Sequence, residues 1–438
     1  MTKYSDKPIY NLKVALRETG IKADVLRAWE RRYGLPKPQR SPGGHRLYSE
    51  RDIEIIKWLI ARQNEGLSIS SAVELFREKE VLSQDPLEEE VQVEQPTQLA
   101  VFSTDLSLDA LKKNWLEACI GFNEPLADQL LNQAFSLYPL EVVLSEIIQQ
   151  GMRDLGAKWF NGEATVQQEH FTSALVLRRL ETLIAAAPPP IRSQTILIAS
   201  PSEEWHTFSM VMLNLLLRRR GYHVVFLGAN VPNDHLDEAT DSIKPDLVVL
   251  ASQHLTSAAN LQKAAQLLLQ KNVPVAYGGR VFNSVPALRK RIPGYFLGET
   301  IEESLSVIEQ LIQNPKSVPN YDETPTAYRI LAQEFKEKRG LIESNLIETL
   351  KAKGAPVDYV PAANLHLGNQ LASALELGDV NFLANDMIWL KGYLEKQNTP
   401  SDQLDPYLRT YAESIQKSMN GHSAIITNWV KSLTESKE

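Results

Sequence analysis

The chain has 438 residues, 43% hydrophobic and 23% charged, which is the composition of a soluble globular protein of two to four domains and excludes a disordered or fibrous chain. Its longest apolar stretches, such as Thr195–Ala199 and Leu247–Ala251, are strand-length against the roughly 18 residues of a membrane span, and the N-terminus MTKYSDKPIY has no apolar signal region, so the expected place is the cytoplasm, with no membrane partner. The net charge of −8 is uneven: residues 1–78 hold 15 basic and 10 acidic residues, a net +5, which leaves −13 on the rest and suits one module that meets a polyanion.

Residues 9–20 (IYNLKVALRETG) predict a short amphipathic helix ending at Gly20, and Ala23–Tyr33 a second ending at Gly34; so short a turn makes a helix-turn-helix. On the second helix Arg27 and Arg31 lie four apart on one face, opposite Leu26, Trp29 and Tyr33. The polar face suits a major groove. In LPKPQRSPGGHRLYS the Gly43-Gly44 pair can take positive φ in a hairpin, with Arg40, His45, Arg46 and Tyr48 around it as a wing. The segment LRAWERRYGLPKPQRSPGGHRLYSERDI resembles the signature of the MerR family of winged helix-turn-helix regulators. That resemblance covers about 70 residues. It implies a DNA-binding domain over residues 1–78 that uses Arg27, Arg31 and Arg32 from the recognition helix and Arg40 and Arg46 from the wing, as a dimer on a two-fold duplex operator; His45 and Tyr48 join the expected contacts by their place on the wing.

Residues 79–104 are acidic and aperiodic and read as a linker. From 105 to 190 the pattern is helical, a four-helix bundle closed by Pro188-Pro189-Pro190, with Cys119 as a small buried hydrophobe. Residues 191–313 alternate short apolar runs (TILIAS, VVFLG, LVVLAS, VPVAYGG, YFLG) with helices, which predicts a flavodoxin-like α/β domain with a parallel sheet and a ligand at the carboxyl ends of its strands. Residues 314–325 form a second linker. Residues 326–438 read as an all-α region whose aromatic stripes, including Trp389, Trp429, Tyr393, Tyr407 and Tyr411, are core; its two histidines are His366 and His422, and dimerisation is its expected role.

Two short patterns carry chemistry. Trp159 is followed after nine residues by Glu169-His170, and the first helix of the α/β domain carries Glu204-Trp205-His206. Histidine is a good transition-metal ligand, and a carboxylate two residues before it can hold its ring. Each alone is weak. In this order they resemble the cobalamin-binding half of the MerR-type light-dependent repressors of carotenoid genes, over about residues 105–313. The resemblance implies a helix bundle that covers one corrin face through Trp159, Glu169 and His170, with His206 as the lower cobalt ligand, Glu204 as its partner, and the displaced tail running past Ser252 and Gly278-Gly279. It further implies cobalamin, most of all adenosylcobalamin, as cofactor, a regulator whose oligomeric state the cofactor gates, and light as a stimulus. The chain departs from the pattern at Ser209, where the family motif has glycine, and at Phe160, where light-sensing members have a histidine. Two alternatives stay open. One is a cofactor-independent MerR-type regulator whose α/β domain meets a protein partner, such as an anti-regulator; the other is a corrinoid-carrying enzyme subunit, against which the N-terminal domain argues.

Overall fold

The computed structural model describes residues 4–64, 69–81, 87, 106–384, 387, 404–419 and 423–435. The chain divides into two units, residues 1–105 and 106–438. In the first, β1 (Tyr10–Asn11) leads into α1 (Leu12–Thr19) and α2 (Ala23–Tyr33), followed by the hairpin β2 (Gln39–Arg40) and β3 (Arg46–Tyr48), then α3 (Glu50–Asn64) and α4 (Ile69–Val81). Asn11 caps α1 by accepting from the Val14 N–H, and Gly20 and Gly34 end α1 and α2 in the left-handed conformation. Of the two hairpin glycines only Gly44 takes a positive φ, +80°. The strand order β1-β3-β2 is antiparallel, and Ala15, Leu26, Trp29, Tyr48, Ile56, Leu59 and Phe76 fill the core beneath it.

The second unit begins with the four-helix bundle: α5 (Leu108–Ile120), α6 (Glu124–Leu137), a third helix in two parts, and α9 (Val166–Ala185). The third helix starts as α7 (Leu140–Val142), widens into a π segment (Val143–Gln149), and continues as α8 (Gln150–Phe160). Thr165 and Gln168 close a capping box on α9, and Gln168 also donates to the Ile120 carbonyl at 2.9 Å, tying α9 to α5.

The α/β part runs β4 (Thr195–Pro201), α10 (Phe208–Arg219), β5 (His223–Val231), α11 (Leu236–Ile243), β6 (Leu247–Ala251), α12 (Leu255–Gln270), β7 (Val275–Gly278), α13 (Arg280–Ser284), β8 (Tyr295–Phe296) and α14 (Ile301–Gln313). The five strands are parallel in the order β5-β4-β6-β7-β8, with Ile196 opposite Val224 and Leu247, and Val249 opposite Ala276. This is the flavodoxin-like order. Strands buried on both faces need continuous apolar runs, which LVVLA in β6 supplies.

Residues 315–325 hold no helix or strand, and α15 (Thr326–Ala352), α16 (Val360–Leu377), α17 (Leu404–Ser418) and α18 (Ala424–Glu435) follow. Their apolar residues join those of α12 in one cluster, and Lys263 of α12 meets Glu376 of α16 at 2.7 Å. The all-α region thus stands against the helix layer of the sheet. Tyr407, Tyr411 and Trp429 are buried as expected, whereas Trp389, Tyr393 and His422 lie outside the described residues, as does most of the expected 79–104 linker.

Candidate functional site

A cavity of about 700 Å³ opens between α8 and α9 of the bundle and the carboxyl ends of the sheet strands. That is where a doubly wound sheet places ligands, because the loops diverge on either side of β4. Its bundle wall includes Gln149, Met152, Arg153 and Gly156, spaced along one helical face, together with Glu169, His170 and Ser173. The opposite wall includes Trp205, His206, Ser209, Gln253, His254, Gly278 and Gly279.

The Glu204-Trp205-His206 triplet is not in the first helix of the α/β part, as its pattern suggests, but in the loop between β4 and α10. The loop is pinned by Glu203 in the left-handed conformation (φ +67°), its N–H on Asn230 Oδ1 at 2.8 Å, and by the Asn230 N–H on the Glu204 carbonyl. A helix begun at Glu203 would point His206 elsewhere.

Glu204 is fully buried and all its bonding goes to fixed partners. Oε1 accepts from the His206 N–H and faces His206 Nδ1, both at 2.9 Å, while Oε2 accepts from the Gln253 N–H at 2.6 Å and the Ser257 hydroxyl at 2.7 Å. Burial alone would raise this carboxyl, but the bonds from His206, Gln253 and Ser257 outweigh it and hold it near 2. The Glu204 hydrogen bond in turn raises the His206 ring above the ordinary histidine value, with Glu169 adding to the effect. With Nδ1 occupied, the free donor of His206 is Nε2, on a side chain 64% exposed at the cavity wall.

His254, absent from the sequence-based site, lines the same wall. Its ring centroid is 4.9 Å from that of His206 at 58°, and burial brings it down to about 4, a neutral imidazole. It follows Ser252 by two residues at the carboxyl end of β6, the position that the parallel-sheet rule marks for ligand contact.

On the bundle side Glu169 pairs with His170 at 3.1 Å and accepts from Ser173 at 2.6 Å. Trp159, expected beside them, is half-buried and stands outside the cavity lining; Met152, Arg153 and Gly156 take that wall, with Trp159 a turn further along α8. Phe160 is likewise outside it. At the sheet, Gly278 and Gly279 line the cavity, while Ser252 is buried behind it with a hydroxyl that has no hydrogen-bond partner. The close approach at Gly279 is made by the chain itself: at φ +116° a Cβ there would lie 2.1 Å from the Ser252 carbonyl oxygen.

In the first unit Arg27, Arg31, Arg32, Arg40 and His45 are exposed. Of the other two expected contact residues, one is buried and one is held by an ion pair. Tyr48 is fully buried, its hydroxyl 2.6 Å from Glu30 Oε1, and Arg46 pairs with Glu30 Oε2 at 2.7 Å. Residues two apart on a strand share a face, and the face of β3 that carries Arg46 and Tyr48 turns to α2. Both therefore brace the wing, and burial removes Tyr48 from the DNA-contact set. Glu30, the only acid in the run RAWERRY, is the partner that sequence reasoning passed over.

Residues 10–79 match the MerR HTH family regulatory protein model, and residues 111–184 and 194–305 match two B12 binding domain models. The HTH-type transcriptional repressor CarH of Myxococcus xanthus is 30% identical over 294 residues, 66% of this chain and 95% of that protein. The chain belongs to this family of MerR-type transcriptional repressors with B12-binding domains. CarA of the same organism is 30% identical over 243 residues, 55% of this chain and 75% of that protein. The monomethylamine corrinoid protein of Methanosarcina barkeri is similar at 17% identity, covering 46% of this chain and 99% of that one with a TM-score of 0.40. The chain is thus a DNA-binding transcriptional regulator with a B12-binding half. Among the described residues no helix is long and apolar enough to cross a membrane.

The site suits a corrinoid. It offers a carboxylate-held imidazole with a free nitrogen, a glycine-lined sheet edge, and a buried serine hydroxyl without a partner, at a wide cavity between two layers.

Proposed function

We propose that this regulator is gated by a bound cobalamin, adenosylcobalamin above all, whose cobalt His206 would hold. The observation that carries the reading is the Glu204–His206 pair, which leaves one imidazole nitrogen for the cavity. When bound, cobalamin would supply a cobalt centre able to make and break bonds. Glu204 would orient His206 towards it; Ser209, Ser252, Gly278 and Gly279 would hold its tail on the sheet side; Glu169, His170, Met152 and Gly156 would cover it from the bundle side, with Trp159 as an outer buttress. Gly156 has open space where a Cβ would stand, which would leave room for a bulky substituent on the cobalt. Light response belongs to the adenosyl form in this reading, and Phe160 would offer the cobalt no imidazole.

The output is a duplex operator met by Arg27, Arg31, Arg32, Arg40 and His45, with Arg46 held at the wing by Glu30. Homo-oligomers would place several such heads on one two-fold site, where effective concentration raises avidity. The protein acts on DNA in the cytoplasm, without an enzymatic step. A protein anti-regulator is the second partner class this arrangement admits. The test is reconstitution with adenosylcobalamin in the dark followed by gel filtration. The wild type should keep a corrinoid absorption spectrum and His206→Ala should lose most of it; a colourless wild type would leave the α/β part as a protein-docking module.

A further inference from the structure

We infer that His254 is a positioning residue for His206, fixing the plane of its imidazole; the inference rests on the corrinoid reading of the cavity. Glu204 grips His206 at the main-chain N–H and at Nδ1, both through Oε1. That grip sets where the ring is hinged but leaves rotation about the Nδ1–Oε1 direction. The contact that opposes this rotation is the His254 ring, 4.9 Å away and tilted by 58°. Among the described residues no hydrogen bond is made by the His254 ring nitrogens, so its contribution to the pair is surface against surface.

Both restraints come from one element. The first turn of α12 supplies Ser257, whose hydroxyl binds Glu204 Oε2 and lies 3.0 Å from the His254 carbonyl oxygen, while Gln253 just before it donates its N–H to the same carboxylate. Asn260, one turn on, donates to the Ser202 carbonyl at the root of the His206 loop. A single rigid segment therefore sets the hinge through Glu204 and the ring plane through His254. A ring free to swing would aim Nε2 at the cobalt of a bound corrinoid only part of the time. The apparent affinity falls by that fraction.

The variants His254→Ala and His254→Phe separate ring contact from imidazole chemistry. In full-length protein loaded with cob(II)alamin, the nitrogen superhyperfine splitting in the electron paramagnetic resonance spectrum should be sharp in the wild type and in His254→Phe, and broadened in His254→Ala. Removing the ring contact should weaken cob(II)alamin uptake roughly three- to tenfold, the worth of one aromatic pair, with Phe restoring most of it. A second readout needs no cofactor: in ligand-free protein labelled with 15N-histidine, the His206 ring resonances, assigned by their loss in His206→Gln, should broaden in His254→Ala and stay sharp in His254→Phe. Wild-type spectra and affinity in His254→Ala would overturn the proposal, as would a Phe variant no better than Ala. A wild type that takes up no cob(II)alamin yet shows the 15N effect would sink the corrinoid reading and leave the positioning role intact.

Discussion

The two glycines at the end of β7 should respond oppositely to alanine, and the structure supplies the magnitudes. At Gly279 a Cβ would sit 2.1 Å from the Ser252 carbonyl oxygen, 2.8 Å from its carbonyl carbon and 2.9 Å from its nitrogen, all main chain, at φ +116°. Side-chain repacking cannot relieve a clash with backbone. The unfavourable φ costs about 1–3 kcal/mol and the forced backbone shift about 1–3 kcal/mol more, so Gly279→Ala should cost on the order of 2–6 kcal/mol. At Gly278 the nearest atom is Leu297 Cβ at 3.7 Å, an ordinary contact, so Gly278→Ala should fold normally and only narrow the cavity. In differential scanning calorimetry of the full chain, Gly279→Ala should lower the unfolding temperature of the cavity-bearing unit by roughly 5–10 °C, and Gly278→Ala should leave it unchanged while weakening corrinoid uptake. Equal melting of the wild type and Gly279→Ala would refute the steric reasoning, as would a Gly278→Ala that melts early.

Arg31→Ala should weaken duplex binding and lower the slope of log affinity against log salt by about 1, with corrinoid uptake intact; an unchanged slope in fluorescence anisotropy titrations would remove Arg31 from the DNA face. Tyr48→Phe strips a 2.6 Å hydrogen bond from a nearly buried carboxylate. It should destabilise the DNA-binding unit by about 1.5–3 kcal/mol in thermal denaturation, with the salt slope unaltered; weaker binding at undiminished stability would restore Tyr48 as a contact. Burial pushes the Cys119 thiol up to about 12 from 9.0. A raised folded value means the neutral thiol stabilises below pH 9 and that stability is lost as pH climbs towards 12, so iodoacetamide at pH 8 should label Cys119 only after unfolding. Rapid labelling of native protein would contradict its burial.

Local chemistry made much of this molecule legible. The helix ends at Gly20 and Gly34, the hairpin at Gly44 and the sheet strands all follow from residue-level rules: positive φ for glycine, continuous apolar runs for doubly buried strands. The Glu204–His206 pairing was equally open, since a carboxylate two residues away reaches an imidazole in many backbone conformations. Its placement in a loop was not, because the decisive restraint is Asn230, on the next strand.

The misses share that cause. Tyr48 reads as a wing contact until Glu30, eighteen residues before it, captures its hydroxyl in the core. Trp159 continues the face of Gln149, Met152, Arg153 and Gly156 but lies one turn beyond Gly156, past the end of the cavity lining, and sequence spacing does not say where along a helix a cavity stops. His254 sits three residues past the apolar run of β6, and only the parallel register brings the end of that strand beside β4 and its His206 loop. The docking of α16 on α12, through Lys263 and Glu376, joins residues 113 apart.

The central claim, that corrinoid at one end controls DNA binding at the other, is tested most directly by a linkage measurement. A duplex selected from a random pool by the protein would be titrated with ligand-free and adenosylcobalamin-loaded protein in the dark, with oligomer size followed by gel filtration. The account predicts that loading shifts the affinity by about 5- to 150-fold, together with a change in oligomer size, and that His206→Ala abolishes both effects. Protein that keeps its corrinoid yet shows the same DNA affinity and the same size in both states would contradict it.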